Sequence, residues 1–186
     1  PAALQRMIPD YTAALQGEDG QACEDGSCEP ETQVEARTDF AQCARGSGKD
    51  CGHLPAIGAS EWLNALGEPH GTVTLVDFWS SSCVNCAREI PEIERIYEKY
   101  KDAGLVVIGV HSPQQAHERD ASVVSGAASR LGITYPVALD PELEAFQAYG
   151  ATAWPTHYLA GPDGQLHSVG RGTSGLEEQV RALLTE

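Results

Sequence analysis

The chain has 186 residues, enough for one domain of ordinary size or for one domain with an appendage. Its 27 acidic and 12 basic residues give a net charge of -15, which argues against binding to nucleic acid or to anionic lipid surfaces. No run of 18 apolar residues occurs, so the sequence predicts no membrane span within it. The chain begins at Pro1 rather than Met, and we interpret it as excised from something longer, so that a signal peptide or membrane anchor could have preceded it.

The sequence changes character near residue 54. Residues 1–54 are polar and acidic, and they hold four of the six cysteines. From residue 55 onward, apolar patterns typical of strands and helices alternate. We therefore interpret residues 1–54 as an acidic, Cys-containing N-terminal extension or linker, and residues 55–186 as the folded domain.

The four cysteines of the extension allow more than one arrangement. We predict structural disulfides Cys23–Cys28 and Cys43–Cys51, because each pair closes a short loop that contains glycine. One disulfide with two thiols and a zinc site are the alternatives; the first pair has a spacing that suits zinc, whereas the second is too wide. An even number of cysteines, beyond what a redox pair needs, favours an oxidising, extracytoplasmic compartment.

The predicted elements of the folded domain alternate between helices and strands. A short helix over 60–66 is followed by a strand at 73–79, a helix at 83–101, a strand at 105–110, a helix at 119–131, a strand at 135–139, a helix at 141–149, hairpin strands at 156–159 and 165–169, and a helix at 174–184. This order predicts an α/β fold with a mixed central sheet, parallel units first and an antiparallel hairpin last, and helices on both faces.

A Cys-x-x-Cys unit, Cys83-Val84-Asn85-Cys86, comes directly after the first predicted strand. A thiol attacks a disulfide only as the thiolate, and the free N–H groups at a helix start stabilise that anion. We therefore predict that Cys83 attacks a partner disulfide and that Cys86, one turn further on, resolves the mixed disulfide. The alternatives are a structural pair and half of a zinc site; the zinc site would need a second Cys-x-x-Cys or a histidine pair downstream, and neither follows.

These motifs resemble those of the thioredoxin superfamily over residues 55–186. Val76-Asp77-Phe78-Trp79 leading into Cys-x-x-Cys matches the superfamily pattern in register. The stretch from Cys83 to Pro91 is similar to the Cys-x-x-Cys-x-x-Glu-x-Pro of the TlpA/ResA branch. Within that branch the sequence resembles the thioredoxin-like domain of DipZ-type proteins, in which this domain is fused to a CcdA/DsbD-like membrane domain.

The resemblance implies a thioredoxin-like fold and an extracytoplasmic thiol–disulfide oxidoreductase that acts on disulfides of protein substrates. It further implies a reductant, a CcdA/DsbD-like membrane electron donor, a link to cytochrome c biogenesis and a full-length protein that could be membrane-tethered. We expect a monomer with no metal and no cofactor beyond the Cys83–Cys86 disulfide. The alternatives are a disulfide-forming oxidant of the same fold, a redox-regulated metal-binding or partner-docking module that uses the N-terminal cysteines, and a peroxidase, whose usual Pro-rich loop with a single reactive cysteine is absent.

The resemblance also implies a substrate-binding surface around Pro155, which would be the cis-proline opposite the dithiol. A cis turn there exposes the backbone of Trp154 to pair with an extended substrate strand. The residues expected to contact the substrate are Trp79, Val84, Asn85, Trp154 and Thr156.

Asp77 is the predicted proton acceptor. An aspartate inside an apolar strand is unfavourable unless it is paired or protonated, and such a group could take the proton of Cys86 directly or through one water. The alternative is that Asp77 faces solvent at a strand edge. We expect Glu89 to be structural or electrostatic, and His157 to face outward with no chemical role.

Overall fold

Six β-strands and four α-helices make up the part of the chain that the computed structural model describes, which is residues 52–65 and 71–185. The strands are β1 (Trp62–Leu63), β2 (Val73–Trp79), β3 (Leu105–His111), β4 (Val137–Leu139), β5 (Thr156–Ala160) and β6 (Leu166–Gly170). The α-helices are α1 (Val84–Tyr100), α2 (Ala121–Leu131), α3 (Glu144–Ala148) and α4 (Leu176–Leu183). Short 3-10 helices occupy Lys101–Ala103 and Ala116–Arg119.

The strands form one mixed sheet in the order β1-β4-β3-β2-β5-β6. β2, β3 and β4 are parallel, while β1, β5 and β6 pair antiparallel with their neighbours. The predicted mixed sheet, with parallel units first and a hairpin last, is confirmed. β2 lies inside the sheet between β3 and β5, and its near-complete burial explains why its sequence is apolar with few interruptions.

Side chains of β2 alternate between two apolar cores, one on each face of the sheet. Leu75 and Trp79 belong to the core that also contains the buried face of α1. Val76 and Phe78 point to the opposite core, which includes Phe146 of α3 and which we call the α3-side core. Asp77 therefore shares a sheet face with Leu75 and Trp79, and that face is the one that α1 covers.

The helix predicted over 60–66 is wrong, because Trp62 and Leu63 form the edge strand β1. They pair with Ala138 and Val137 of β4, and pairing across the sheet overrides the local pattern. Asn64 follows with a positive φ of 60°, and its side-chain amide donates to the carbonyl of Tyr135 at 3.0 Å.

The helix predicted over 141–149 is shorter at its start, because the preceding turn is held by Asp140. The carboxylate of Asp140 accepts hydrogen bonds from the backbone N–H groups of Ala145 and Phe146, each at 3.0 Å, as a capping side chain does. Leu143 takes a left-handed conformation with φ 63°, which the regular helix cannot contain.

The first described residues pack against the hairpin. Gly52 accepts a hydrogen bond from the backbone of Leu166, His53 bridges to Gln165, and Ile57 is buried in the α3-side core. The region from residue 52 is thus part of the same packed unit. No helix in the described ranges is long and apolar enough to cross a membrane.

Candidate active site

A disulfide joins Cys83 and Cys86 at the junction between β2 and α1, with Cα atoms 5.3 Å apart. Cys83 is the N-cap residue of α1, and its Sγ accepts a hydrogen bond from the backbone N–H of Cys86 at 3.1 Å. Cys83 is 8% exposed and Cys86 is 1% exposed. The first cysteine is therefore the more exposed of the two. It also lies at the N-terminus of α1, which stabilises a thiolate, so it has both properties that an attacking cysteine requires.

The loop before Cys83 is fixed by the buried carboxylate of Glu118. Its oxygens accept hydrogen bonds from the hydroxyls of Ser80 and Ser81, both at 2.9 Å, and from the backbone N–H of Ser82 at 2.7 Å. The backbone N–H groups at positions 114 and 115 supply two more. Burial raises the pKa of Glu118, but these donors outweigh burial and lower the pKa to about 2. An anionic carboxylate is therefore held beside the start of α1.

His111 supports the same loop from β3. Its Nε2 lies 3.1 Å from the backbone nitrogen of Ser81 and accepts its hydrogen, so Nε2 carries no proton. Burial lowers the pKa of His111 to about 4, which agrees with a neutral ring. Trp79 packs edge-on against His111 with ring centroids 4.8 Å apart and is completely buried. Trp79 thus lies beneath the loop, and its burial leaves no surface for the substrate contact expected of it.

A buried histidine lies between two carboxylates on the α1 side of the sheet. Nδ1 of His157 lies 3.0 Å from Oδ1 of Asp77, a close ion-pair contact without the alignment of a regular hydrogen bond, and Nε2 lies 2.9 Å from Oε2 of Glu89. Burial is the largest single influence and lowers the pKa of His157, but the two carboxylates outweigh it and raise the pKa to about 9. The ring is therefore charged at neutral pH.

The positions of Asp77, His157 and Glu89 test two expectations from the sequence. Asp77 is 1% exposed, so the alternative in which it faces solvent is wrong. His157 does not face outward as expected, because β5 is covered on both faces and its second residue points to α1. Glu89 has the predicted electrostatic contact, and the contact with His157 is the main cause that lowers the pKa of Glu89.

The Trp154–Pro155 peptide bond is cis, as the resemblance implied. Because Phe78 pairs with Thr156 in the antiparallel register of β2 and β5, the residues that follow Phe78 and precede Thr156 lie at the same end of the sheet. Pro155 therefore lies at the end where Cys83 begins α1. The hydroxyl of Thr156 donates to the carbonyl of Ala153 at 2.7 Å.

Two side chains hold the turn around Pro155. Nε of Arg171 donates to the carbonyl of Pro155 at 3.2 Å, and Nη2 donates to the carbonyl of Trp154 at 3.3 Å. The ring of Trp154 stacks on Phe146 with centroids 4.4 Å apart, which fixes the indole against the α3-side core. The backbone expected to pair with a substrate is thus already ordered.

The surface beside the disulfide is formed by the two residues between the cysteines. Val84 is 65% exposed and Asn85 is exposed as well, so both lie where a substrate could touch them. Among residues 52–65 and 71–185, no group of three or more histidine, cysteine or carboxylate side chains could hold a metal ion. The predicted pairs Cys23–Cys28 and Cys43–Cys51 lie outside the described residues.

Sequence reasoning missed Glu118 and Arg171, and it misplaced His157. Glu118 lies 36 residues from Ser82, and its one local sign is the capping pattern with Gln115. The sequence pattern that predicts burial of His157 is its place in a mostly apolar strand directly after a turn with proline. No local pattern identified Arg171, because its contacts depend on how the hairpin folds back.

Comparison with known proteins agrees with this geometry. The model of the AhpC/TSA family matches residues 62–169. Protein DipZ of Mycobacterium bovis is 38% identical over 206 aligned residues, which cover 100% of this chain and 29% of DipZ. The thiol-disulfide oxidoreductase YkuV of Bacillus subtilis is 31% identical over 139 residues, covering 69% of this chain and 91% of YkuV. The chain thus spans less than a third of DipZ but matches nearly all of YkuV.

Solved structures share the fold. The solution structure of a thioredoxin-like protein in the oxidized form superposes with a TM-score of 0.65 at 28% identity, covering 72% of this chain and 95% of that protein. The thioredoxin-like fold predicted from the sequence is therefore confirmed.

Proposed function

Since the chain belongs to the AhpC/TSA family and is a thiol–disulfide oxidoreductase of the thioredoxin superfamily, we propose that it reduces protein disulfides outside the cytoplasm. Its electrons would come from a CcdA/DsbD-like membrane protein. The observation that carries the proposal is the Cys83–Cys86 pair at the first turn of α1, in which the first cysteine is more exposed, at 8%, than the second, at 1%. This asymmetry supports a division of labour between the two sulfur atoms.

The first step would belong to Cys83. In the reduced protein, the backbone N–H of Cys86 and the helix N-terminus favour the thiolate of Cys83. That thiolate attacks one sulfur of the substrate disulfide, so a bond forms between Cys83 and that sulfur. The bond within the substrate breaks, and its other sulfur leaves as a thiolate that takes a proton from solvent.

The second step would belong to Cys86. Its thiol gives its proton to an acceptor, for which Asp77 is our candidate, and the resulting thiolate attacks Sγ of Cys83. The Cys83–Cys86 disulfide forms and the bond to the substrate breaks, which releases the second substrate thiol. The protein is oxidised by two electrons and the substrate is reduced by two.

The position of Glu118 supports the reducing direction. Its carboxylate accepts the N–H of Ser82, the residue before Cys83, and its negative charge opposes the stabilisation of a thiolate at Cys83. A couple whose thiolate is strongly stabilised is an oxidant, as in DsbA, and a couple whose thiolate is less stabilised is a better reductant. The reduction potential should therefore lie nearer the about -270 mV of thioredoxin than the about -120 mV of DsbA.

The extracytoplasmic location and the donor are supported by sequence alone. The alignment with DipZ covers the whole chain, and the resemblance to DipZ-type proteins implies a domain fused to a CcdA/DsbD-like membrane domain. The four additional cysteines of residues 1–54 would suit an oxidising compartment. A reductant in such a compartment needs a supply of electrons from across the membrane, because the compartment itself does not keep thiols reduced.

An insulin-reduction assay tests the catalytic part of the proposal. Cys83→Ser should lower turnover at least 100-fold, whereas Cys86→Ser should still attack and should accumulate a mixed disulfide detectable by mass spectrometry. Unchanged turnover in Cys83→Ser would contradict the assignment of the attacking sulfur.

Two further measurements test the direction and the donor. Equilibration with glutathione gives the reduction potential of the Cys83/Cys86 couple, and a value near that of DsbA would replace the reductant by the oxidant alternative. A purified CcdA/DsbD-like protein in proteoliposomes, supplied with reduced thioredoxin, should reduce the disulfide of this chain. A disulfide that stays oxidised there would contradict the proposed donor.

A further inference from the structure

His157 lies between Asp77, which is buried on β2, and Glu89, which is half-buried on α1. It is the second residue of β5 and the direct cross-strand partner of Asp77 on β2. The residue is 3% exposed, and its two ring nitrogen atoms face different carboxylates, Asp77 at 3.0 Å and Glu89 at 2.9 Å. A ring with a carboxylate oxygen at each nitrogen can satisfy both only as the imidazolium, because only that form carries two N–H groups.

The cluster lies on the same side of the sheet as the resolving cysteine. Glu89 follows Cys86 by three residues in α1, and residues with this spacing are neighbours on one helix face. Asp77 alternates with Leu75 and Trp79, which pack in the core that contains Cys86. Glu89, His157 and Asp77 therefore form a continuous chain of polar contacts between α1 and β2, on the face of the sheet against which Cys86 packs.

We propose that His157 is a positioning residue for the resolving step, which fixes Asp77 and Glu89 through its two ring nitrogens so that one of them can take the proton of Cys86. The proposal rests on the proposed function, because it concerns the second step of disulfide exchange. A cation between two carboxylates offsets their mutual repulsion. The contact with His157 is the main cause that lowers the pKa of Glu89, so without the ring Glu89 would stay protonated to a higher pH and could not accept the proton of Cys86 there.

The other charged and titratable groups around the cluster do not replace the imidazolium as its central cation. Glu89 also accepts the backbone N–H of Gly172 and lies in the field of Arg171, and both lower the pKa of Glu89. The buried hydroxyl of Tyr135 lies near Asp77, and burial, followed by the charge of Asp77, raises the pKa of Tyr135, so it stays neutral.

From β6 and α4, the groups that face His157 are neutral. Ser168 and Gln179 hydrogen-bond to each other at 2.7 Å and line a cavity of about 70 Å³ beside the ring. The charge state of the cluster is therefore set by His157, Asp77 and Glu89, with Arg171 at its outer end.

A rapid-quench experiment separates the two steps. Reduced protein is mixed with oxidised glutathione, and the mixed disulfide at Cys83 is counted by mass spectrometry over time and pH. In His157→Gln we expect formation of the adduct to stay within twofold of wild type and its decay to slow at least tenfold at pH 7. The acidic limb of the decay rate should move to higher pH by more than one unit, which a merely structural role would not produce. The matched control is His167→Gln, an exposed histidine on β6.

The outcomes distinguish this proposal from the one on which it rests. If the wild type forms no adduct at Cys83, the proposed function fails. If the adduct forms normally and His157→Gln resolves it with the rate and pH profile of the wild type, the role of His157 is wrong. Should His157→Gln not fold, ¹⁵N NMR of the wild-type imidazole decides: a doubly protonated ring at pH 7 is expected, and a neutral tautomer would overturn the proposal.

Discussion

Glu118 and Ser82 are joined by a hydrogen bond of 2.7 Å from the backbone nitrogen of Ser82 to a carboxylate that is completely buried. The contact lies one residue before Cys83, and it ties a 3-10 helix to the loop that presents the disulfide. An acidic side chain thereby determines both the shape of this loop and the charge near its sulfur.

Glu118→Gln should make the Cys83/Cys86 couple more oxidising, because the variant removes a negative charge beside the thiolate of Cys83. We expect a rise of about 10–40 mV in the reduction potential, which corresponds to about 0.5–2 kcal/mol. Equilibration with glutathione measures it, and Glu142→Gln, at an exposed glutamate, is the control. Equal potentials in wild type and Glu118→Gln would show that the charge does not act on the couple.

Glu118→Ala should lower the stability of the oxidised protein, because it leaves the donors of the loop without their acceptor. Buried donors without a partner cost about 1–3 kcal/mol each, although some loop groups will gain water in the variant. We expect a loss of about 2–4 kcal/mol in the free energy of unfolding, measured with guanidinium chloride. A loss below 1 kcal/mol would mean that the loop holds its shape without Glu118.

The oxidised protein should lose stability as the pH rises from 6.5 towards 9. His157 has a pKa of about 9 in the folded protein against 6.5 as its ordinary value, so the charged ring stabilises the fold fully below pH 6.5. This contribution disappears as the pH passes through the folded-state pKa, and it amounts to at most about 3 kcal/mol. Urea unfolding from pH 6 to 9.5 measures the slope, which should be clearly smaller in His157→Gln. An identical slope in both proteins would refute the prediction.

Asp77→Asn should slow the second step of exchange and leave the first nearly unchanged. The variant removes the candidate proton acceptor while it keeps the size of the side chain, so decay of the glutathione adduct should slow at least tenfold at pH 7. Asp102→Asn, at an exposed aspartate, is the matched control. Decay of the adduct at the wild-type rate and with the wild-type pH profile would remove Asp77 from this role.

Gly109→Ala should destabilise the fold by about 1–3 kcal/mol through overpacking. Gly109 lies opposite Asp77 in the β2–β3 register, and an added Cβ would come within 2.9 Å of the Tyr135 ring and 3.1 Å of Nε1 of Trp79. The control is Gly126→Ala in α2, where the nearest atom is the flexible end of Arg130 at 3.4 Å and alanine favours the helix. Thermal unfolding should separate the pair, and equal midpoints would contradict the packing argument.

The sequence predicted the elements around the disulfide best. The strand at 73–79 and the start of α1 at Cys83 agree with the structure, because one is a short apolar run and the other is a motif with fixed spacing. The element at 62–63 was misread, because a two-residue edge strand depends on pairing with β4 and leaves no periodicity in its own sequence.

The contacts that shape the site were harder to foresee because they join distant parts of the chain. His157 meets Asp77 across 80 positions through the register of β2 and β5, and Glu118 meets Ser82 across 36. A sequence pattern that spans ten residues carries no information about contacts between residues this far apart in the chain. In one case the residue type alone indicated a contact, because a buried aspartate needs a partner, and the partner of Asp77 is His157.

The position of Arg171 has a consequence for substrate binding. Its guanidinium donates to the carbonyls of Trp154 and Pro155, the oxygens that a polypeptide docking alongside the cis bond would seek. A substrate chain that pairs with this backbone, as the resemblance implies, would have to compete with Arg171 for these two carbonyls.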